Sequence, residues 1–582
     1  MKNLFNILKL LTKEQKKTSF VILLAMMLSA LLEVAGVSLI IPLIYFMAEP
    51  NSINEYPKIL LNLKEIFSFL DIKKLNFLSL NEAIVVLMIA SISILFLIKN
   101  IILILIQWMQ ATFVAKLSYR WQNELYKGYL RSSYKFYFSR SASDLLHNIN
   151  QTSVLSTGIN STILLLTDSI LVLSLASFLI YLQPVESVAI FILFFFSTYL
   201  LFVLIKKKIE EIGRKSHLYE GQRQKLVLDS FSGIREIKLN DKTGMFLNIF
   251  DKVNWLSLKM GVYKNVISAI PRFWLEITFL VSLNVIILII FYSNNSITNS
   301  MPIIGIFAAA AFRIMPSVGR IMVNLNTLKT NLPVSEIVKN EIQNLEKTTD
   351  LVSKDLDFKE SICLKNIQFS YNTNDLEVLK NINIMIPKGS IIGISGNSGS
   401  GKSTLLDLLI GLIIPDKGEI LIDSRPVKDN IKSWQKKIGY VSQDIFLINE
   451  SFSKNISYEI EEDKINYEKI KKVIKILGLD DFINNLPENL KSHVGERGIK
   501  MSGGQLKRIG IARALYKTPE MLILDETFSS LDIETEKNIM SEIKSFDKNL
   551  TIVIVSHRQS TLELCDKVYK LENGEIVTNY EN

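Results

Sequence analysis

Nine consecutive residues have the composition of a loop that binds phosphate groups. They are Gly396, Asn397, Ser398, Gly399, Ser400, Gly401, Lys402, Ser403 and Thr404, in the pattern G-x-x-x-x-G-K-S. The glycines let successive backbone N–H groups turn towards the phosphates of a nucleotide, while the lysine reaches the β and γ oxygens. The serine hydroxyl is a ligand for Mg²⁺. The sequence therefore predicts a nucleotide site with Lys402 and Ser403 at its centre.

Two acidic residues that suit phosphate hydrolysis follow a second apolar segment. The run Met521–Leu524 leads directly into Asp525 and Glu526. Asp525 is a candidate ligand for Mg²⁺, and Glu526 is placed to polarise a water molecule against the γ-phosphate. A third apolar run, Thr551–Val555, is followed shortly by His557. Because open α/β sheets bind ligands at the carboxyl ends of parallel strands, we expect these groups to meet the phosphate loop.

The phosphate-binding pattern also has the neighbours that it needs. Ile391–Ile394 predicts a buried strand that enters the loop, and Ser403–Leu406 predicts the first turn of the helix that leaves it. A lone G-x-x-x-x-G-K-S pattern arises readily by chance. Several ordered elements, most of them tied to predicted strands, indicate an α/β P-loop ATPase domain instead.

Residues 361–575 resemble the nucleotide-binding domain of ABC transporters over their whole length. The run from Met501 to Gln505 matches the signature of that family, except that methionine stands where leucine is usual. That change conserves side-chain volume and should matter little. Ser529–Asp532 resembles the D-loop, and Val494–Gly498 resembles the short cross-talk segment of exporters. The resemblance implies ATP and Mg²⁺ as cofactors.

The same resemblance implies roles for individual residues. Tyr371 would stack on adenine, Gln443 would sense Mg²⁺ and the membrane domain, and His557 would act as the switch histidine. The signature would bind the γ-phosphate of ATP held by another subunit. The implied catalytic residues are Glu526, His557 and Lys402. Beyond the phosphate loop, the implied nucleotide-binding residues are Tyr371, Gln443, Ser502, Gly503, Gly504, Gln505 and Asp532, and the implied Mg²⁺ ligands are Ser403, Gln443 and Asp525.

Long apolar runs precede this domain and predict membrane spans. The chain has 582 residues, of which 48% are hydrophobic. A helix needs about 20 apolar residues to cross a bilayer. Six segments reach that length, at 18–48, 82–110, 158–182, 184–206, 264–293 and 301–326. The expected fold class is therefore an α-helical membrane domain like that of type I ABC exporters, followed by the α/β P-loop domain.

Lysine and arginine are distributed as in a membrane protein. The formal net charge is +9, but many lysines flank apolar runs, which favours a membrane protein over one that binds nucleic acid. The long connections after the second and fourth spans are basic, whereas the short turns near Pro184 and at Ser293–Ser300 have no lysine or arginine. Both termini and the ATPase domain are thus expected in the cytoplasm, with the spans in a bacterial inner membrane. The only cysteines, Cys363 and Cys565, imply no disulfide framework.

The domain boundaries follow from these patterns. Residues 1–331 are expected to form the membrane domain, 332–357 a polar linker and 358–582 the nucleotide-binding domain. Helical patterning continues past the second and fourth spans, so these spans should extend into long cytoplasmic helices. The resemblance implies a short coupling helix at the tip of each extension, near Phe138–Ala142 and Ser230–Ile237.

Six spans and one ATPase domain make half of a transporter. Since the signature must complete the phosphate loop of a second copy, we expect a two-fold homodimer that holds two ATP molecules. The alternative classes are a soluble ATPase and a non-transporting ABC regulator. The six spans argue against the first and the intact Glu526 against the second. ATP-driven export or flipping is the favoured function.

Three basic residues within the predicted spans favour a substrate that carries negative charge. They are Lys99, Arg272 and Arg313. Each costs roughly 2.5–3.5 kcal/mol in lipid on insertion scales, so we expect side chains that face a cavity for the substrate. Structural ion pairing, with Glu33 or Asp168 as the acidic partner, is the alternative.

The segment between the first two spans predicts an amphipathic helix on the outer membrane surface. Pro57 suits its first turn, and apolar residues recur at helical spacing from Ile59 to Leu70. With the charged spans, this helix resembles the PglK-type flippases of lipid-linked oligosaccharides. That resemblance implies a polyprenyl-pyrophosphate glycan, moved from the cytoplasmic to the outer leaflet for protein glycosylation. A structural flap is the alternative for the helix, and a lipid A-like glycolipid, a peptide or a hydrophobic drug is the alternative for the substrate.

Overall fold

The chain folds as two compact units. The computed structural model describes residues 11–48, 80–182, 184–292, 297–345, 355–371, 377–495, 501–529 and 531–581. The first unit, called the helical unit, comprises Met1–Ser132 and Arg140–Lys347. The second, called the sheet unit, comprises Ser133–Ser139 and Thr348–Asn582.

Within the described residues, the helical unit consists of very long helices and one short helix. They are α1 Lys13–Ala48, α2 Leu80–Arg131, α3 Ala142–Leu182, α4 Pro184–Ser232, α5 Ile234–Leu239, α6 Thr243–Tyr292 and α7 Ile297–Asn344. The second helix has 52 residues, which at 1.5 Å per residue makes it about 78 Å long. A hydrocarbon core is only about 30 Å thick, so such helices extend far beyond it. The helices are therefore long enough for the extensions that the sequence predicts beyond the spans.

Five helices in the described part of the chain are long and apolar enough to cross a membrane. The qualifying segments are Lys13–Leu32, Ile89–Arg131, Ala142–Tyr181, Ser187–Ser232 and Thr243–Val285. They contain or overlap the first five predicted spans, and the sixth, 301–326, lies within α7. The predicted surface helix at 57–70 is outside the described residues.

Hydrogen bonds between helices satisfy polar groups inside the helical unit. Trp274 of α6 donates its indole N–H to the Ser197 hydroxyl of α4 at 2.7 Å. Gln110 of α2 donates to Asn160 of α3 at 2.6 Å. In an apolar environment an unpaired amide or hydroxyl is costly, so these bonds favour particular pairings of the helices.

The last long helix enters the segment that was expected to be a linker. Helix α7 continues to Asn344, so the first part of the segment 332–357 is helical. Val334 and Val338, one turn apart, are both buried, and this apolar spacing continues the helix at the polar end of the unit. Near the two expected coupling helices, the structure has a 3₁₀ helix at Tyr134–Tyr137 and α5.

The described part of the sheet unit contains two β-sheets. An antiparallel sheet has the order β2-β1-β4-β5, and a six-stranded sheet has the order β10-β9-β3-β8-β7-β6. The strands are β1 Ser361–Phe369, β2 Leu379–Pro387, β3 Ile391–Gly396, β4 Lys417–Ile422, β5 Arg425–Pro426, β6 Ile438–Val441, β7 Met521–Asp525, β8 Thr551–Val555, β9 Lys567–Glu572 and β10 Glu575–Glu581. The three strands predicted from the sequence are β3, β7 and β8.

Helices of the sheet unit cover these sheets. They are α8 Lys402–Leu409, α9 Ile431–Lys436, α10 Phe452–Ser457, α11 Tyr467–Ile476, α12 Asp480–Asn484, α13 Gly503–Tyr516, α14 Ile533–Phe546 and α15 Gln559–Leu562. Short 3₁₀ helices occur at Val427–Asp429, Glu462–Lys464 and Asn489–Lys491. Buried Ile, Leu and Val residues from both faces of the six-stranded sheet form the core.

Parallel pairing brings the predicted chemistry to one edge of the six-stranded sheet. Strand β8 pairs in parallel with both β3 and β7. In this register Asp525 lies beside Val555, so the carboxyl ends of β7 and β8 coincide. The loop after β3 leaves the sheet at the same edge. The expected α/β P-loop fold is therefore confirmed, together with the edge at which its polar residues meet.

Candidate nucleotide site

The phosphate loop joins β3 to α8 as predicted. Gly396 ends the strand, and Gly401 caps the helix with a φ of 102°, which side-chain residues rarely adopt. A Cβ atom on Gly396 would lie 2.2 Å from the carbonyl oxygen of Leu571. Glycine is thus required at both ends of the loop, where the backbone must turn tightly around a small group.

Lys402 folds back onto its own loop in this structure. Its ammonium donates to the carbonyl oxygens of Gly396 at 2.8 Å and Asn397 at 2.9 Å. Burial lowers the pKa of Lys402, while the neighbouring Glu526 and Asp525 raise it. To reach the phosphate oxygens of a bound nucleotide, the Lys402 ammonium would leave these two carbonyl oxygens of its own loop.

The loop has the features that a nucleotide requires. The Ser400 hydroxyl is buried and has no hydrogen-bond partner among the described residues, so an incoming acceptor could satisfy it. Ser403 is exposed at the first turn of α8. No cluster of three or more His, Cys, Asp or Glu suited to a metal occurs in the described ranges. Mg²⁺ commonly needs only one or two carboxylates when substrate phosphates supply other ligands, so Ser403 and Asp525 fit it.

Asp525 lies at the end of β7 in a crowded acidic environment. Burial raises its pKa, and the Tyr440 hydroxyl donates to it at 3.3 Å. Asp407 of α8 is nearby, and burial together with the charge of Asp525 raises the pKa of Asp407 to about 6. Two neighbouring carboxylates at this position favour a bound cation, as expected of residues that would hold Mg²⁺.

Two predicted residues contact the carboxylate of Glu526. Gln443 donates its side-chain N–H to one oxygen at 2.7 Å. His557 lies with Nε2 2.9 Å from the other oxygen. The backbone N–H of Glu526 donates to the carbonyl of Val555 at 3.1 Å. The structure thus brings Gln443, Glu526 and His557 together, although they are far apart in the sequence.

Tyr371 is engaged by protein groups. Its hydroxyl lies 2.9 Å from the Thr404 hydroxyl, and its ring makes edge contacts with Phe369 and Phe138. Phe138 comes from the segment Ser133–Ser139, which belongs to the sheet unit. Stacking of Tyr371 on adenine stays a prediction.

The signature residues form the start of α13. The Ser502 hydroxyl accepts from the N–H of Gln505 at 3.2 Å, and the Gln505 side chain accepts from the N–H of Ser502 at 2.9 Å. This reciprocal pair is a capping box. Ser502 and Gly503 are exposed, and a Cβ on Gly504 would lie 3.0 Å from Leu531. The positive end of the helix is thus presented to solvent.

Asp532 caps α14 in the structure. Its carboxylate accepts from the N–H and the hydroxyl of Thr535, both at 2.8 Å, and the N–H bond is the main reason that its pKa is lowered. Arg558 donates to the carbonyl oxygens of Ser529 and Leu531, both at 2.6 Å. The predicted role of Asp532 at a nucleotide stays untested. The cross-talk residues after Gly495 and the D-loop residue Ser530 are outside the described residues.

In the helical unit, two of the three predicted cations lie close to one aromatic ring. The Lys99 ammonium is 4.4 Å from the centre of the Phe96 ring, and the Arg313 guanidinium carbon is 5.7 Å from it. Arg272 has a side chain that is 79% exposed and pairs with Glu276 of the same helix at 3.2 Å. The structure therefore groups Lys99 with Arg313 and places Arg272 in an exposed ion pair.

Several functional candidates were not found from the sequence. Arg320 donates to the buried Asp168 at 2.6 Å, whereas the sequence suggests Asp168 as a partner for other cations. Lys507 donates to the backbone carbonyl of Gln443. Arg558 contacts the D-loop through the two carbonyl oxygens. A long-range contact of this kind leaves no spacing pattern in the sequence. For Arg320 the sequence does contain a signal, because a lone arginine close to an apolar run indicates a buried or functional partner.

Comparisons with known proteins agree with this architecture. The family model "ABC transporter transmembrane region" matches residues 19–315, and the model "ABC transporter" matches residues 379–529. A solved structure of a bacterial Atm1-family ABC exporter with ATP bound superposes with a TM-score of 0.77 at 19% sequence identity. That match covers 98% of this chain and 95% of the other, which shows a shared fold.

Curated relatives match over a shorter length. The leukotoxin translocation ATP-binding protein LktB of Mannheimia glucosida is 42% identical over 217 residues, which is 37% of this chain and 30% of the relative. The ATP-dependent lipid A-core flippase of Photobacterium profundum is 37% identical over 217 residues, 37% of each chain. The matched part of the chain thus spans 30% of the first relative and 37% of the second, far less than the length of either.

Proposed function

This chain belongs to the ABC transporter family, and we propose that it is an ATP-driven flippase of lipid-linked oligosaccharides in a bacterial inner membrane. Its helical unit is the membrane domain, and its sheet unit is a cytoplasmic ATPase. It moves a polyprenyl-pyrophosphate glycan from the cytoplasmic to the outer leaflet. Because the matched curated relatives extend far beyond the aligned part, the substrate and partners are argued from the residues of this chain.

ATP hydrolysis in this proposal uses the residues at the edge of the six-stranded sheet. The N–H groups of the phosphate loop bind the phosphates, and Lys402 exchanges its own loop carbonyls for phosphate oxygens. Ser403, Gln443 and Asp525 are the residues that would hold Mg²⁺, which would neutralise charge on those oxygens. Glu526 accepts the proton of the attacking water and is oriented by His557.

Two copies are needed for a complete site. Each sheet unit has one phosphate loop and one signature, and the exposed capping box at Ser502 presents the positive end of α13 to solvent. Such a helix end is suited to a phosphate group. A homodimer therefore has two ATP sites, each formed by the phosphate loop of one subunit and the signature of the other.

The substrate proposal rests on the cations around Phe96. Lys99 is 2% exposed and Arg313 lies near the same ring, and each lies in an apolar stretch of its helix. Ionisable groups at such depth are costly and mark substrate pathways by default. Arg320 lies seven residues after Arg313, which is about two turns along the same face of α7. Its side chain is 53% exposed although it pairs with Asp168, so the guanidinium remains accessible to a second anion.

A pyrophosphate carries concentrated charge that cannot cross hydrocarbon unaided. Ammonium and guanidinium groups replace part of its lost hydration, and the arginine fork matches phosphate oxygens. The glycan moves in the aqueous cavity while the polyprenyl tail stays in lipid. A lipid A-like glycolipid is the second candidate, because one of the matched relatives is named a lipid A-core flippase.

Reconstitution of the full chain in lipid vesicles tests the substrate. A fluorescent polyprenyl-pyrophosphate oligosaccharide, a lipid A glycolipid and a peptide are supplied in separate experiments, and ATP-dependent loss of accessibility from the starting leaflet is measured. We expect the pyrophosphate substrate alone to be moved and to stimulate ATP hydrolysis. Movement of the glycolipid instead would replace the proposed substrate by the second candidate.

Variants connect this transport to the cations. Arg313→Ala, alone or combined with Arg272→Ala, should stop flipping of the pyrophosphate substrate, because Arg313 lies by the Phe96 ring whereas Arg272 is held in an exposed ion pair with Glu276. Basal ATP hydrolysis should stay within about two-fold of wild type, because both residues lie outside the nucleotide site. Lysine at both positions should restore only part of the flipping, since it keeps the positive charge but not the fork that matches phosphate oxygens. Arg214→Ala, at an exposed arginine of α4, is the matched control. Wild-type flipping by the double alanine variant would show that these cations are structural.

A further inference from the structure

One face of α13 lies directly against the backbone that carries Gln443. Lys507 and Arg513 are nearly two turns apart on this helix and both donate to that segment. Lys507 donates its ammonium to the Gln443 carbonyl, and Arg513 donates to the Phe446 carbonyl at 2.8 Å. The segment around Gln443 is therefore fixed to the helix at two backbone positions.

A glycine between these two basic residues lets the helix approach closely. Gly510 is three residues from each, on the same face of α13. A Cβ atom on Gly510 would lie 2.4 Å from Ile445 and 3.2 Å from Val441. With no side chain between the helix and this segment, movement of one displaces the other.

Lys507 is an unusual residue for this buried position. Its side chain is 8% exposed, and burying an ammonium is costly unless polar groups compensate it. The carbonyl of Gln443 supplies a hydrogen bond, and the carboxylates of Asp444, Asp525 and Glu526 supply nearby negative charge. An apolar side chain would fill the same space without that cost, so the charge must be explained by what it contacts.

The contacts of Lys507 continue to the catalytic carboxylate. The residue whose carbonyl it binds, Gln443, donates its own side chain to Glu526 at 2.7 Å. Lys507 thus fixes the backbone of the residue that orients the base.

We propose that Lys507 is a positioning residue for Glu526, acting through the carbonyl and side chain of Gln443. The proposal rests on the roles of Glu526 and Gln443 in the proposed function. Its substrate is the same Mg²⁺–ATP. Removing the ammonium frees the Gln443 backbone, so that its side chain no longer orients Glu526 or the Mg²⁺ ligand sphere reliably.

Lys507→Met tests this role, because methionine keeps an unbranched apolar stem and removes the donor. In the purified full chain we expect kcat for ATP hydrolysis to fall about 10-fold or more, as is usual when an outer-shell partner is lost. The Kd for a fluorescent ATP analogue should stay within about two-fold, because the phosphate loop is unchanged. The Mg²⁺ concentration for half-maximal rate should rise several-fold.

Rescue separates positioning from folding. Lys507→Arg keeps a donor for the Gln443 carbonyl and should recover most of kcat, while a purely structural defect would not follow the donor. Lys471→Met, at an exposed lysine of α11, is the matched control and should behave as wild type. A Lys507→Met enzyme with wild-type kcat and Mg²⁺ dependence would overturn the proposal, and so would a kcat loss that arginine fails to restore.

Glu526→Gln is measured in parallel to separate two kinds of failure. If Glu526→Gln is inactive while Lys507→Met is unaffected, the positioning role of Lys507 is wrong and the catalytic assignment of Glu526 stands. If Glu526→Gln hydrolyses ATP normally, the catalytic assignment on which the inference rests is wrong. The transported substrate does not enter either measurement.

Discussion

The backbone of Glu526 adopts a φ of +45°, a conformation that side-chain residues rarely take. A left-handed residue other than glycine costs roughly 1–2 kcal/mol, so surrounding contacts must maintain it. Here the N–H is bonded to Val555, and the carboxylate is contacted by Gln443 and His557. A backbone conformation of this kind, with three contacts fixing the residue, is consistent with a catalytic base whose direction matters.

Glu526→Gln should therefore retain ATP binding and lose turnover. A general base typically contributes about 10²–10⁴-fold to the rate, so phosphate release should fall by at least 100-fold. Nucleotide retention and phosphate release by the purified protein measure the two properties separately. Lys402→Ala is the contrasting variant and should lose binding itself, because its charge acts on the phosphates. Near-normal hydrolysis after Glu526→Gln would require a different base.

At the residue scale, motif residues could be predicted because their spacing is local. The turn at Gly396–Gly401 and the acids after β7 follow from short sequence patterns with a known physical purpose. The contact of Lys507 with Gln443 spans 64 residues and depends on how α13 packs, so no local pattern contains it. Arg558 at the D-loop is a similar case.

At the element scale, the ion pair between Arg320 and Asp168 joins α3 to α7. The Asp168 side chain is 7% exposed and that of Arg320 is 53% exposed. Removing Arg320 and removing Asp168 should therefore have different effects on stability. Without its arginine, the buried carboxylate loses the hydrogen bonds that this guanidinium donates to both of its oxygens. A guanidinium without its carboxylate can turn towards water.

Arg320→Met should thus destabilise the protein more than Asp168→Asn does. Breaking a buried pair costs about 3–5 kcal/mol when the remaining charge stays buried, and less when it is accessible. Thermal unfolding of the full chain in detergent measures both variants. The combination of Asp168→Asn and Arg320→Met should recover part of the loss from Arg320→Met alone. Equal destabilisation by the two single variants would contradict this asymmetry.

The element boundaries show where sequence reasoning works and where it fails. The predicted spans are found because a run of apolar residues is itself the physical cause of membrane insertion. The segment expected as a linker, 332–357, begins within α7, which continues to Asn344 although the residues beyond 331 are largely polar. Buried Val334 and Val338 show that a sparse apolar stripe is enough to continue a helix already formed.

At the scale of the whole molecule, the proposed homodimer makes a prediction about mixed subunits. Ser502→Arg places bulk and charge where the γ-phosphate of the partner's ATP should bind, so it should abolish turnover while the subunit stays folded. Lys402→Ala disables the phosphate loop. Mixing the two variants leaves one composite site with an intact loop and an intact signature, and ATPase activity should return in the mixture. Activity is compared with that of wild-type subunits mixed by the same protocol.

Persistent inactivity of the mixed dimers would exclude independent composite sites. Either both sites would then be needed at once, or the signature would act within its own subunit. Cross-linking that confirms mixed-dimer formation is the necessary control. The substrate is not required for this measurement, so its outcome does not depend on the flippase proposal.

Because α2 is so long, a small rotation of this helix produces a large displacement at its end. Over 52 residues it contains no proline, whereas α6 carries Pro271 in its interior, where bending is easier. A stiff rod about 78 Å long that tilts by about 5° displaces one end relative to the other by about 7 Å. A shift of an ångström or two near one end of such a helix is therefore sufficient to open or close a passage at the other end. A transport cycle built on this helix needs no large motion at the end where the movement begins.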